Sequence, residues 1–254
     1  KEVNEPKFLS HDIPLFHGIA QDLFPGVSLP DVEQKDMAAA MVEACAEKHL
    51  QPRKPFLSKV VEIYDMLIVR HGFMVVGLPF SGKTSALSVL QSTLGKLHKK
   101  FPGNADKKWM PVHIVKINPK ALSISKLYGS FDEQTHEWSD GVLAIKYRAC
   151  ATTNEDIAIG KQTDLKWIIF DGPIDALWIE NMNTVLDDNR KLCLMSGEML
   201  SMSSVMSMIF EPMDLEVASP ATVSRCGMVY MEPDAVVGYK SLAESWVAKL
   251  RHTE

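Results

Sequence analysis

Phe73-Met74-Val75-Val76-Gly77-Leu78-Pro79-Phe80-Ser81-Gly82-Lys83-Thr84-Ser85-Ala86-Leu87 joins an apolar run, a G-x-x-x-x-G-K-T turn and the opening of a helix. Each fixed position of the turn has a chemical reason. Gly77 and Gly82 lack a Cβ, so the backbone can bend until successive N–H groups face one concavity. A helix starting there adds the positive end of its dipole, which favours anions. Lys83 can place a point charge on phosphate oxygens, and Thr84 can offer its hydroxyl to a Mg2+ that bridges them. Leu78, Pro79, Phe80, Ser81 and Ser85 complete the expected nucleotide-contacting set by their places on the loop and the first helical turn. A glycine-rich turn with no ligand is the plain alternative. A strand before and a helix after are the surroundings a phosphate loop requires.

Working outward, residues 112–117, 166–170, 205–210 and 228–230 are further short apolar runs that read as strands. Helical stretches at about 83–98, 140–149, 175–186 and 221–225 separate them, and a last helix is expected at about 235–250. This alternation predicts an α/β fold with a five-stranded parallel sheet flanked by helices. Upstream, Asp31 is an expected N-cap for a helix with Met37, Met41 and Cys45 on one stripe. A second helix is expected from Pro55, burying Phe56, Val60, Ile63, Tyr64 and Leu67 and stopping at Gly72. Residues 1–30 carry Pro6, Pro14, Pro25 and Pro30 and read as an extended linker. Three segments exceed a minimal α/β unit: a polar loop at 99–110, a hairpin or loop at 128–141, and 192–202, where Ser196-Gly197 signals a hairpin. Insertions of this kind are contact candidates, with plain surface loops as the alternative.

Two more strand ends carry candidate chemistry. Asp171 closes the run Leu165-Lys166-Trp167-Ile168-Ile169-Phe170. At the C-terminal edge of a parallel strand it is placed to hold a Mg2+ water, with a turn before Gly172-Pro173 as the alternative. A hydrolytic site usually has Glu next, to polarise the attacking water; that help is worth roughly two to four orders of magnitude in rate. Here the next residue is Gly172. Asp175, Glu180, Asp187 and Asp188 follow, and are expected to be caps, surface charges or structural partners. Glu211 ends the 205–210 run, where it is either a replacement water activator or simply a polar strand end. Arg225 ends a short helix. It can reach a neighbour's site and steady charge on a transferred phosphoryl group in trans, or it can form a surface salt bridge.

Composition narrows the classes. The 254 residues are 46% hydrophobic and 23% charged, enough apolar content for a packed core. A net charge of -5 without a basic-aromatic stripe argues against nucleic acid as partner. Cys45, Cys150, Cys193 and Cys226 lie far apart, which fits reduced thiols rather than a disulfide framework or a zinc site. The apolar runs fall short of the roughly 20 residues a membrane span needs, so no membrane contact is expected. The chain opens on Lys1, which reads as an internal cut.

GLPFSGKT (77–84), KWIIFDGPIDALWIENMNTVLDDNRKLCLMSGE (166–198) and FEPMDLEVASPATVSRCGMVY (210–230) together resemble the second AAA+ module of a dynein heavy chain, closest in wording to the axonemal ones. The resemblance covers about residues 15–232. It implies a module in a ring of six, binding ATP or ADP with Mg2+ and turning it over little or not at all, in an ATP-driven microtubule motor of the ciliary axoneme. Carried over residue by residue, Lys83 and Thr84 match the phosphate and metal contacts, Asp171 the metal-supporting Asp, and Glu211 the γ-phosphate-sensing position. Arg225 matches the finger offered to the first module, and Leu23, Phe24 and Val27 match a stretch that packs on adenine. Segments 128–141 and 192–202 match inserts that touch the motor's linker. Microtubule contact is implied only through the rest of the parent chain. The expected organisation is a linker at 1–30, the α/β nucleotide-binding subdomain at 31–232, and the start of a truncated helical lid at 233–254. An autonomous ATPase that uses Glu211 is the competing reading.

Overall fold

Gly72 to Val76 is buried at every position, as expected of a strand covered on both faces. It is β1 of a computed structural model that describes residues 8–9, 11–24, 35–102, 109–151 and 164–250. The other sheet strands are β2 (Val112–Ile117), β5 (Leu165–Phe170), β8 (Met206–Phe210) and β9 (Gly227–Tyr230), and the sheet order is β2-β5-β8-β1-β9. The β2·β5, β5·β8 and β1·β8 pairings are parallel. The expected α/β fold with a five-stranded parallel sheet is therefore the observed one, with strand bounds within a residue of those read from the apolar runs.

The chain divides into two compact units. The first comprises Lys1–Met66, Gly77–Trp109 and Met228–Glu254; the second comprises Leu67–Val76 and Met110–Gly227. In the first, α2 (Lys35–Glu47) packs on α4 (Lys83–Lys100). Met37, Met41, Ala44 and Cys45 are buried on α2, and Leu87, Leu90, Leu94 and Leu97 on α4. Lys96 meets Glu47 at 2.5 Å and Lys100 meets Asp36 at 2.8 Å along the rim. Exposed pairs of this kind contribute little, so the apolar stripe dominates. α3 (Lys54–Val69) buries Phe56, Val60, Ile63 and Tyr64 as the spacing predicted, but ends before Gly72, which instead starts β1.

Two expectations change in this unit. Within the expected extended linker, Ile13–Leu23 is a helix, α1. Its one proline, Pro14, falls in the first turn, where the missing N–H does no harm. The single C-terminal helix is two, α10 (Pro233–Val236) and α11 (Gly238–Leu250), because Gly238 has φ 64° and breaks the run. Asp31 and residues 103–108 of the 99–110 loop lie outside the described residues.

The second unit holds β1, β2, β5 and β8 with two small hairpins. β3 (Gly129–Phe131) pairs with β4 (Trp138–Asp140), and β6 (Lys191–Cys193) with β7 (Met199–Ser201), both antiparallel. Both expected inserts are thus hairpins, the second turning at Gly197 with φ 89°. α5 (Ile124–Tyr128) and α6 (Val142–Cys150) flank the first. The expected helix at 175–186 is segmented into α7 (Ala176–Ile179), a 3-10 turn (Glu180–Met182) and α8 (Asn183–Leu186). Asn181 and Asn183 are poor interior residues because their side chains compete for backbone groups. α9 (Pro220–Arg225), capped by Ser219 Oγ on the Thr222 N–H, leads into β9.

Candidate nucleotide site

The phosphate loop is built in the first unit. Ser81 N donates to Leu78 O at 3.2 Å, and α4 opens with Ala86 N donating to Gly82 O at 2.8 Å. The N–H groups of such a first turn are those an anion meets. Gly82 has φ 87°, and a Cβ there would press on Val237 at 2.8 Å. A Cβ at Gly77 would collide with Met231 O and lie 2.8 Å from Ser81 Oγ, so only glycine closes the base of the loop. Lys83 Nζ donates to Gly77 O, and to Leu78 O at 3.0 Å, which holds the ammonium at the loop. Ser81 Oγ is buried with no partner among the described residues. Leu78, Pro79 and Phe80 form an exposed crest, with Phe80 81% exposed and at φ 65°. A glycine-closed cradle with a lysine held at its lip is a fit for a phosphate group and its Mg2+, with the exposed Thr84 as first-turn hydroxyl.

A cavity of about 60 Å3 lies beside Gly82 and Ser85, lined also by Arg53, Phe56, Val237 and Ser241. Sequence reasoning placed Phe56 on an apolar stripe and missed the rest, since they come from chain positions far apart. Leu23 and Phe24, expected to pack on a base, are 68% and 65% exposed and do not line it. Val27 lies outside the described residues.

In the second unit, Asp171 and Glu211 stand side by side at the ends of neighbouring strands. Phe170 pairs with Phe210 in parallel register, and Glu211 N donates to Phe170 O at 2.9 Å. Asp171 N donates to Ile117 O at 3.0 Å. The residues before the two carboxylates stack on each other, with ring centroids 4.9 Å apart at 13°, and Trp178 stacks on Phe170 at 5.6 Å. That aromatic block fixes the strand ends from below. Asp171 is exposed, whereas Glu211 is 4% exposed. A Cβ at Gly172 would sit 3.0 Å from Asn118 Oδ1, the oxygen that caps the turn after β2 by accepting from Lys120 N and Ala121 N. Gly172 is therefore both without a carboxylate and closed over by a neighbour.

The remaining acidic residues fall where expected. Asp175 caps α7 by accepting from Leu177 N, and Lys120 Nζ at 2.6 Å holds its carboxyl below the usual range. Asp187 pairs with Arg225 at 2.5 Å, so the salt bridge anticipated as one reading of Arg225 is present. Arg148 on α6 grips Asp140 of β4 at 2.8 Å and Glu198 of the second hairpin turn at 2.7 Å, tying the two inserts together. No sequence signal pointed to Arg148. The four cysteines form no disulfide among the described residues. Burial pushes Cys45 up to about 11 and Cys226 up to about 12, which keeps both protonated and unreactive. No helix among the described residues is long and apolar enough to cross a membrane.

The fold and loop define a P-loop nucleotide-binding α/β module of the AAA+ type. Residues 1–84 match the family described as the hydrolytic ATP binding site of the dynein motor region. The chain is 52% identical over 251 residues to dynein axonemal heavy chain 12 of Homo sapiens, covering 99% of this chain and 8% of that protein. It is 52% identical over 249 residues to dynein axonemal heavy chain 3 of Homo sapiens, covering 98% and 6%. To dynein axonemal heavy chain 1 of Homo sapiens it is 46% identical over 250 residues, covering 98% and 6%. The chain belongs to the dynein heavy chain family and spans 6% to 8% of the length of these relatives. The stretch matched to the hydrolytic site ends at Thr84, before the strand that carries Asp171 and Gly172.

Proposed function

We propose that this chain is the second AAA+ module of an axonemal dynein heavy chain, and that it binds ATP with Mg2+ while hydrolysing little or none of it. The observation that carries this reading is Gly172 after Asp171 at the end of β5. Gly77–Thr84 would hold the phosphates, Lys83 would neutralise their charge, and Thr84 and Asp171 would hold the metal, the latter through water. Mg2+ supplies charge neutralisation between phosphate oxygens when bound. No side chain follows Asp171 to take a proton from water, and the missing base removes roughly two to four orders of magnitude in rate. The nucleotide, ATP or ADP, then serves structure and regulation in a ring. Arg225 is offered to the neighbouring hydrolytic module, and the hairpins tied by Arg148 face the motor's linker. Microtubule contact belongs to the parent chain, and the site of action is the cytoskeleton of the ciliary axoneme, as the relatives' names indicate.

Glu211 supports a second reading, an autonomous ATPase, because a buried carboxylate stands beside Asp171. Phosphate release separates the two. The binding reading expects background release in the presence of tight ATP binding. A brisk rate lost in Glu211→Gln would overturn it in favour of the second.

A further inference from the structure

Arg225 is held at two of its three guanidinium nitrogens. Its Nε donates to Asp187 Oδ1 at 2.5 Å and its Nη1 to Ala221 O at 3.1 Å. Nη2 carries no hydrogen bond among the described residues, and the side chain is 34% exposed. A carboxylate that meets both terminal nitrogens would consume the fork that recognises phosphate. Asp187 takes Nε and Ala221 O takes Nη1, so the planar group is oriented while Nη2 is left for an anion.

The grip is one rung of two. Thr222 Oγ1 donates to Asn183 Oδ1 at 3.1 Å. Asn183 and Asp187 are four apart along α8 and its C-cap; Thr222 and Arg225 are three apart on α9. Both spacings put the pairs on one helix face. The Thr222 hydroxyl is also within 3.0 Å of the α9 cap, Ser219 Oγ. The two rungs fix where α9 ends and therefore where Arg225 points. The chain leaves α8 through its C-cap Asp187 into the turn before β6, with Arg190 N donating to Asp187 O at 3.0 Å. The carboxylate thus sits on a braced segment rather than a loose loop.

We infer that Asp187 is the positioning residue for Arg225, presenting its Nη2 to a phosphoryl group bound by the adjacent module. The inference rests on the trans role proposed for Arg225. Asp187 touches no substrate and acts only through the guanidinium. Its removal leaves the charge in place but lets the group rotate, and misplacement of a catalytic group by about 1 Å lowers rate by as much as roughly a hundredfold.

The test uses the full-length heavy chain with steady-state phosphate release at saturating and limiting ATP. Asp187→Ala is expected to lower kcat by about tenfold, within that bound, with KM for ATP changed less than about twofold. Asp187→Glu, which can still reach Nε, should recover kcat to within about threefold of the parent. If Arg225→Ala lowers kcat and Asp187→Ala does not, the inference is overturned while the finger reading stands. If Arg225→Ala itself leaves turnover unchanged, the finger reading falls, and the inference with it. A parallel loss of kcat and ATP affinity in Asp187→Ala, unrelieved by Glu, would mark a merely structural residue and also overturn it.

Discussion

The loop after β1 and the edge after β5 close two strands of one sheet, yet they carry unequal equipment. The first has every group that phosphate binding needs: two glycines whose Cβ atoms could not fit, a lysine held at the lip, and a hydroxyl on the first turn. The second keeps its aspartate but follows it with Gly172, packed against Asn118. Binding and cleavage draw on different residues, so one can persist without the other. Binding needs donors and positive charge fixed before the ligand arrives, whereas cleavage needs a base within reach of one water.

The largest effect should come from the intact region. Lys83→Ala is expected to weaken ATP binding by at least about a hundredfold in calorimetric titration, because a charge-assisted contact to phosphate is lost. Unaltered affinity would remove the loop from the site. Next, Gly172→Glu should raise phosphate release about tenfold to a hundredfold over background, less than a native base supplies because Asn118 must give way. A flat result would mean that more than a missing carboxylate separates the two edges. Asp171→Asn should lower ATP affinity about tenfold with Mg2+ present and leave metal-free affinity unchanged. Equal losses in both conditions would deny it the metal role. Phe80→Gly should have the smallest effect. Relief of a left-handed backbone, offset by glycine's entropy in the unfolded chain, leaves about 0.5 kcal/mol of stabilisation, or roughly 1–2 °C in melting temperature. A clear drop in melting temperature instead would show that the exposed ring packs on something.

Much of this was legible along the chain because it is local. Apolar runs bounded by turn residues located β1, β2, β5, β8 and β9, and one eight-residue motif located the phosphate loop. Ser196-Gly197 located a hairpin turn because that turn demands a positive φ. Other readings missed for physical reasons. The prolines of residues 1–30 suggested an extended linker, but Pro14 in a first turn is compatible with α1. Gly238 sat inside a helical pattern, and its left-handed φ is set by the surrounding backbone rather than by spacing.

By itself, the sequence determined the order of strands and helices, the loop chemistry, and the missing carboxylate at Gly172. Each depends on neighbouring residues and on which side chain exists. Only tertiary structure decided how the distant charges pair. Arg225 meets Asp187 across 38 positions, Arg148 meets Glu198 across 50, and Arg53 meets Glu244 across 191. It also decided which residues enclose the cavity beside Ser85. No periodicity encodes such pairs, because they form only when packed backbones bring the side chains within a few ångströms. The Arg225–Asp187 pair, with the local bond to Ala221 O, leaves Nη2 of Arg225 available.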